Sequence, residues 1–136
     1  MTELPKKIFE TVNHPKRVGV IGTADSNGQP NVAYFGSPKL MEDGTLIVGC
    51  GDNLTLKNLE ENPKAVFFCV EGSPVTQETG GCRLYMEIKS IQREGDLLKA
   101  IKDNIAKFFS PDAAKMVVAA LIFQVNDVRP LIAEGY

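Results

Sequence analysis

The chain has one histidine, His14, among its 136 residues. A histidine-activated serine or cysteine needs that imidazole beside the nucleophile, and His14 falls in a leader segment, which argues against such schemes. A structural zinc site takes about four nitrogen or sulfur ligands. Besides His14 there are only three cysteines, Cys50, Cys69 and Cys82, widely spaced and without a C-x-x-C pair. No metal site is therefore expected, and the odd cysteine count reads as buried, inert thiols in a reducing compartment. No apolar run approaches the roughly 18 residues a membrane span needs. Fifteen basic against seventeen acidic residues give a net charge of −2, so no basic surface favours nucleic acid. The N-terminal MTELPKKIFE is charged throughout and lacks a signal-peptide core, so the expected location is cytoplasmic. No acid–base pair stands out, and catalytic residues stay unknown.

What remains is 43% hydrophobic and 24% charged. That is the composition of one globular domain, expected to run over 1–136 with a core needing no staple.

The chain is organised around Gln29 to Pro63, QPNVAYFGSPKLMEDGTLIVGCGDNLTLKNLEENP. Asn31 to Lys39 and Thr45 to Cys50 carry strand-type residues, and Met41-Glu42-Asp43-Gly44 between them supplies an Asp-Gly turn. On the first of these strands Asn31, Ala33, Phe35, Ser37 and Lys39 should share one face, and Val32, Tyr34, Gly36 and Pro38 the other. Gly49-Cys50-Gly51-Asp52-Asn53 then forms a glycine-bracketed elbow into a short helix, with Asp52 or Asn53 as its cap. A strand that empties through glycines into a helix N-terminus leaves backbone N–H groups free for an anion, usually phosphate; the alternative is an ordinary capped surface helix.

Around this stretch, Leu4 to Asn13 reads as a helix capped by Thr2 with Pro5 in its first turn. Arg17 to Asp25 is a strand that turns at Ser26-Asn27-Gly28 to form a hairpin with the next. Ala65 to Val70 is apolar on both faces, so it should lie between two buried layers. Glu71 to Gly81 reads as a long loop and Arg83 to Ile91 as an alternating strand. Asp96 should cap an amphipathic helix over LLKAIKDNIAKFF. Ser110-Pro111 opens a further helical turn, and Met116 to Val125 is a buried strand. The expected fold is mainly β with a few helices: a six-stranded, mostly antiparallel barrel, closed or nearly so. Its apolar strands exceed what one small barrel interior can bury, which points to a homodimer.

The segments TADSNGQPNVAYF, DGTLIV and TLKNLEENPKAVFF, in this order, resemble the flavin-binding split-barrel superfamily. That group includes pyridoxamine 5′-phosphate oxidase and the small bacterial FMN-binding proteins. The resemblance covers roughly Val18 to Val125 and implies a homodimeric split barrel with FMN bound non-covalently at the subunit interface. It places Ala33, Tyr34, Phe35, Gly36 and Ser37 along the isoalloxazine ring, of which only one of the two aromatics can face it. Thr55 takes the family's phosphate-hydroxyl position, Asn53 opens the phosphate-binding helix, and Cys50, Leu54 and Lys57 flank the site. Leu54 stands where the family commonly has lysine, Asp52 brings negative charge close by, and Lys57 is the candidate replacement cation. Arg83 could reach across a dimer to an anion. The substrate-recognising arginine and histidine of true pyridoxamine phosphate oxidases have no counterpart in DVRPLIAEGY except Arg129. The resemblance thus implies an FMN-dependent oxidoreductase or electron carrier. The alternatives are a flavin-storage protein or a dimeric scaffold without cofactor.

Overall fold

The computed structural model of the chain describes residues 4–72 and 80–132. Four helices, α1 (Lys6–Val12), α2 (Leu54–Glu61), α3 (Asp96–Phe108) and α4 (Pro111–Lys115), accompany seven strands. The strands are β1 (Arg17–Ala24), β2 (Pro30–Tyr34), β3 (Lys39–Leu40), β4 (Thr45–Gly51), β5 (Lys64–Glu71), β6 (Gly81–Gln92) and β7 (Val117–Arg129). They form one antiparallel sheet in the order β2-β1-β5-β6-β7-β4-β3.

Seven strands replace the six expected because the anticipated strand over residues 31–39 is two. Its first half pairs with β1, Val20 opposite Tyr34, and its second with β4, Lys39 opposite Ile47. The side-chain alternation breaks with it. Ala33 and Phe35 turn inward as expected, but Pro38 and Leu40 are also buried, so the inward face changes over Gly36 and Ser37. This break shapes the sheet. β2 and β3 are its opposite edges, yet only residues 35–38 separate them. Five residue steps reach at most about 17 Å, whereas flat strands at about 4.8 Å spacing would hold the two edges about 29 Å apart. The sheet must therefore curl, and the barrel it makes stays split between β2 and β3 rather than closing.

Inside lies the main core: Ile21, Leu46, Val48, Phe67, Leu84, Leu121 and Phe123 are wholly or almost wholly buried. Helix α1 adds Val12 to it and α2 adds Leu56 and Leu59. Asn13, just past α1, fastens that helix to the edge strand: its amide donates to Leu40 O at 2.9 Å and accepts from Leu40 N at 2.8 Å. Helix α3 packs outside, where Ile101 and Ile105 with Leu98, Val117 and Ala120 make a second cluster over β4 and β7.

The local signals fall where expected. Gly44 turns the β3–β4 hairpin with φ of 87°. Asp43 accepts there from Thr45 N at 3.0 Å and Thr45 Oγ1 at 2.6 Å, bonds that hold its carboxyl below the usual range. Ser110 caps α4, accepting from Ala113 N at 3.0 Å. Three details differ. Gly95, not Asp96, occupies the cap position of α3, because its φ of 104° turns the chain into the helix and puts Asp96 in the first turn. Pro5 sits at the cap position of α1, one residue ahead of the helix; Thr2 lies outside the described residues, as does most of the expected loop over 71–81. The last strand runs on to Arg129, because Leu84 and Tyr85 of the long β6 continue the ladder opposite Val128 and Asp127.

The double-sided burial expected for β5 is only half present in the single chain. Phe67 and Cys69 face the core, while Val66 and Val70 are half-buried and Phe68 exposed on the outside. Across the outer face of β2, β1, β5 and β6 the register places Tyr34, Val20, Phe68 and Arg83 in one row, with Val32, Val66 and Tyr85 beside it. Helices α1 and α2 lie inside and α3 covers β4 and β7, so among the described residues no helix lies over this apolar face.

Candidate functional site

Helix α2 begins where β4 ends, and its N-terminus is built by the elbow. Asn53 has an extended backbone and its side chain accepts from Leu56 N at 3.1 Å, so Asn53 rather than Asp52 is the cap. The same oxygen faces the Cys50 thiol at 3.5 Å. Burial pushes that thiol up to about 11, against the bond to Asn53, and Cys50 is buried as expected.

From the cap the helix turns two faces to different surroundings. Thr55, Leu56, Asn58 and Leu59 face inward, and the Asn58 amide donates to Thr23 Oγ1 on β1 at 3.1 Å. Leu54, at 53% exposure, and Lys57 share the outward face. Lys57 therefore does not project beside Thr55. Thr55 itself is only 1% exposed, yet its hydroxyl has no hydrogen-bond partner among the described residues. A threonine in a first turn is otherwise free to bond locally, and a buried hydroxyl left unpaired costs about 1–3 kcal/mol.

The second segment is the interruption between β2 and β3. Phe35 N donates to Gly19 O at 3.0 Å, after which the ladder stops. From there Arg17, the first residue of β1, takes over: its guanidinium donates to Gly36 O at 2.9 Å and to Pro38 O. It lies 6.0 Å from the Phe67 ring centre, and its Nε is buried without a partner among the described residues. Arg17 was not legible as a site residue, because nothing nearby in sequence marks it as the clamp of a segment 19 residues on. A β-type glycine at 36 was the only signal. Phe35 is a core residue; Tyr34 is 67% exposed and is the aromatic free to meet a ligand or partner. Helix α2 packs on β1, β2 and β4.

On the outer face Arg83 donates through Nε to Pro130 O at 2.8 Å, and its Nη2 is buried without a partner among the described residues. Arg129 stacks over Tyr85 at 5.6 Å and pairs with Asp127. His14 accepts from Lys16 N at 3.1 Å, a turn contact. The described residues contain no cluster of three or more metal-ligating side chains, and no helix long and apolar enough to cross a membrane. A broad groove of about 1360 Å³ lies elsewhere, between α1, the β3–β4 hairpin and β6, floored by Phe9, Leu40 and Ile47. None of the candidate site residues lines it.

The overall arrangement of these elements is also found in known proteins. An FMN-binding protein from Syntrophomonas wolfei superposes with a TM-score of 0.82 at 22% identity, over 95% of this chain and 86% of that one. The chain has a split-barrel fold. The same split barrel occurs in HutZ, the haem storage protein of Vibrio cholerae, with a TM-score of 0.67 at 17% identity over 95% of this chain and 96% of that one. In sequence, an uncharacterized protein of Methanocaldococcus jannaschii is 29% identical over 114 residues, 82% of this chain and 70% of its own. No protein-family model matches the chain.

Proposed function

We propose that this split barrel is a homodimeric flavoprotein that binds FMN non-covalently between its subunits, as an oxidoreductase or electron carrier. The observation that carries this reading is the Thr55 hydroxyl, buried in the first turn of α2 and without a partner among the described residues. A phosphate oxygen would supply that partner, and the free N–H groups at the start of α2 would add theirs. The ring would lie along 33–37, where Gly36 offers bare backbone and Arg17 holds the strand open. Bound flavin supplies the hydride or electron chemistry; the protein supplies the phosphate grip, the wall for the ring and the exclusion of water. A soluble, cytoplasmic setting agrees with this role.

The experiment is an FMN and riboflavin titration of the wild type and Thr55→Val. Valine keeps the shape and removes the donor, and a charge-assisted bond is worth about 1.5–3 kcal/mol. FMN should bind about tenfold or more weakly, with riboflavin little changed. Equal loss of both ligands would remove Thr55 from the phosphate.

Gly36 gives an independent check on the ring. The nearest atoms to a side chain at 36 are those of the exposed Tyr34 ring, whose hydroxyl lies 3.0 Å from the added carbon. Gly36→Val should therefore fold as a dimer but bind no flavin, read by the absence of flavin absorbance. Full flavin occupancy in the valine variant would show that the ring lies elsewhere.

A second reading, a cofactor-less dimeric scaffold, draws on two residues. Leu54 is exposed where a cation would serve the phosphate, and Asp52 is exposed and not engaged in capping. The purified protein separates the two readings directly: failure to take up FMN at high micromolar concentration supports the scaffold. A flavin-loaded protein that NADH or NADPH does not reduce would be a carrier or store.

A further inference from the structure

The barrel interior holds a chemistry that the flavin site does not use. Cys69 on β5 and Cys82 on β6 face each other directly in the ladder, their sulfurs 3.8 Å apart, and both are buried. Sequence spacing gave no hint of this, since twelve residues (70–81) separate them. Opposed residues of an antiparallel pair have Cα atoms about 4.5–5.5 Å apart. A disulfide spans Cα separations of about 4.4–6.8 Å. Joining the two sulfurs therefore requires side-chain rotation, not displacement of the strands. The pair also lies close to the end of the ladder, where Glu71 N donates to Gly80 O, so a small oxidant needs only a local opening to reach it.

We propose that Cys69 and Cys82 form a reversible dithiol–disulfide couple inside the barrel, oxidised by small peroxides. Cys69 is the attacking sulfur. The sulfur contact with Cys82 and the charge of Arg17 favour its thiolate against the effect of burial, whereas the same contact and burial push Cys82 up. The Cys69 thiolate attacks one peroxide oxygen and the O–O bond breaks, giving a sulfenic acid and, once the departing hydroxide takes up the Cys69 proton, one water. The sulfur of Cys82 then displaces the sulfenic hydroxyl, which leaves with the Cys82 proton as a second water. Two electrons pass from the sulfurs to the peroxide, and a thiol reductant reverses the bond by exchange. Cys50, on β4 next to Asn53, takes no part.

The test uses the wild-type folded protein treated with hydrogen peroxide, quenched, alkylated and mapped by mass spectrometry. The expected result is a mass loss of two hydrogen atoms, one peptide pair linked through Cys69 and Cys82, alkylated Cys50, and full reversal by dithiothreitol. The oxidised form should also unfold at a higher temperature, because the bond closes a loop in the unfolded chain. In Cys82→Ala the sulfenic acid at Cys69 should persist and react with dimedone. Should that variant fail to fold, the wild-type map still decides. Two free thiols after prolonged peroxide, independent oxidation of each to sulfinic acid, or a link through Cys50 would each overturn the couple.

Discussion

Phe67→Ala is expected to remove about 3–5 kcal/mol of stability, as for a large aromatic deleted from a closed core. Phe67 is fully buried on the interior strand β5, between Ile21 of β1 and Leu84 of β6. Gly19 lies against its ring so closely that an added Cβ would be 2.5 Å from two ring carbons. Neighbours fixed in a curled sheet cannot collapse into the space the ring leaves, so the cavity persists. Domains of this size hold only about 5–15 kcal/mol in all. Urea unfolding should show a lower midpoint with an unchanged slope. Gly19→Ala tests the same contact from the other side, overpacking the ring at about 1–3 kcal/mol. Combined with Phe67→Leu, it should cost less than the sum of the two single changes. Strict additivity would mean that the glycine does not make room for the ring.

Phe68→Glu, one residue along, is expected to leave the fold intact and dissociate the proposed dimer. Phe68 points outward at 38% exposure, in the middle of the uncovered apolar face. Arg83 stands directly opposite on β6 and can neutralise the carboxylate within the subunit. In a two-fold interface the residue occurs twice, and a central aromatic anchor is worth about 2 kcal/mol or more per copy. Two copies correspond to about a thousandfold weaker association. Light scattering should then give the 14.8 kDa chain mass where the wild type gives about twice that. FMN affinity should fall in step, because the site is proposed to need both subunits. A variant that is monomeric yet binds FMN as tightly as the wild type would place the site within one chain.

Much of the fold was legible because it rests on signals a few residues long. Strand-type residues marked β4 and alternation marked β6; Gly44 and Gly28, both at positive φ, marked two hairpin turns; Asn53 and Ser110 marked two helix starts. The buried position of Thr55 also follows from helical spacing, since Leu56, Asn58 and Leu59 share its face. Other features depended on chain segments that no local pattern connects. Gly36, Ser37 and Pro38 signal an interrupted ladder, but nothing local says that the two halves of the strand serve opposite edges of the sheet. Cys69 and Cys82 look like isolated thiols until the β5–β6 register sets them face to face.

The sequence by itself determined the elements, their caps and turns, and the apolar set that must be buried. Those depend on backbone geometry, turn chemistry and side-chain period, which act between residues a few positions apart. Only the tertiary structure decided that Arg17 clamps the carbonyls of Gly36 and Pro38, that the Thr55 hydroxyl is left without a partner among the described residues, and that two sulfurs meet within the barrel. These follow from strand register and sheet curvature, which the core as a whole fixes, so no short stretch of the chain contains them.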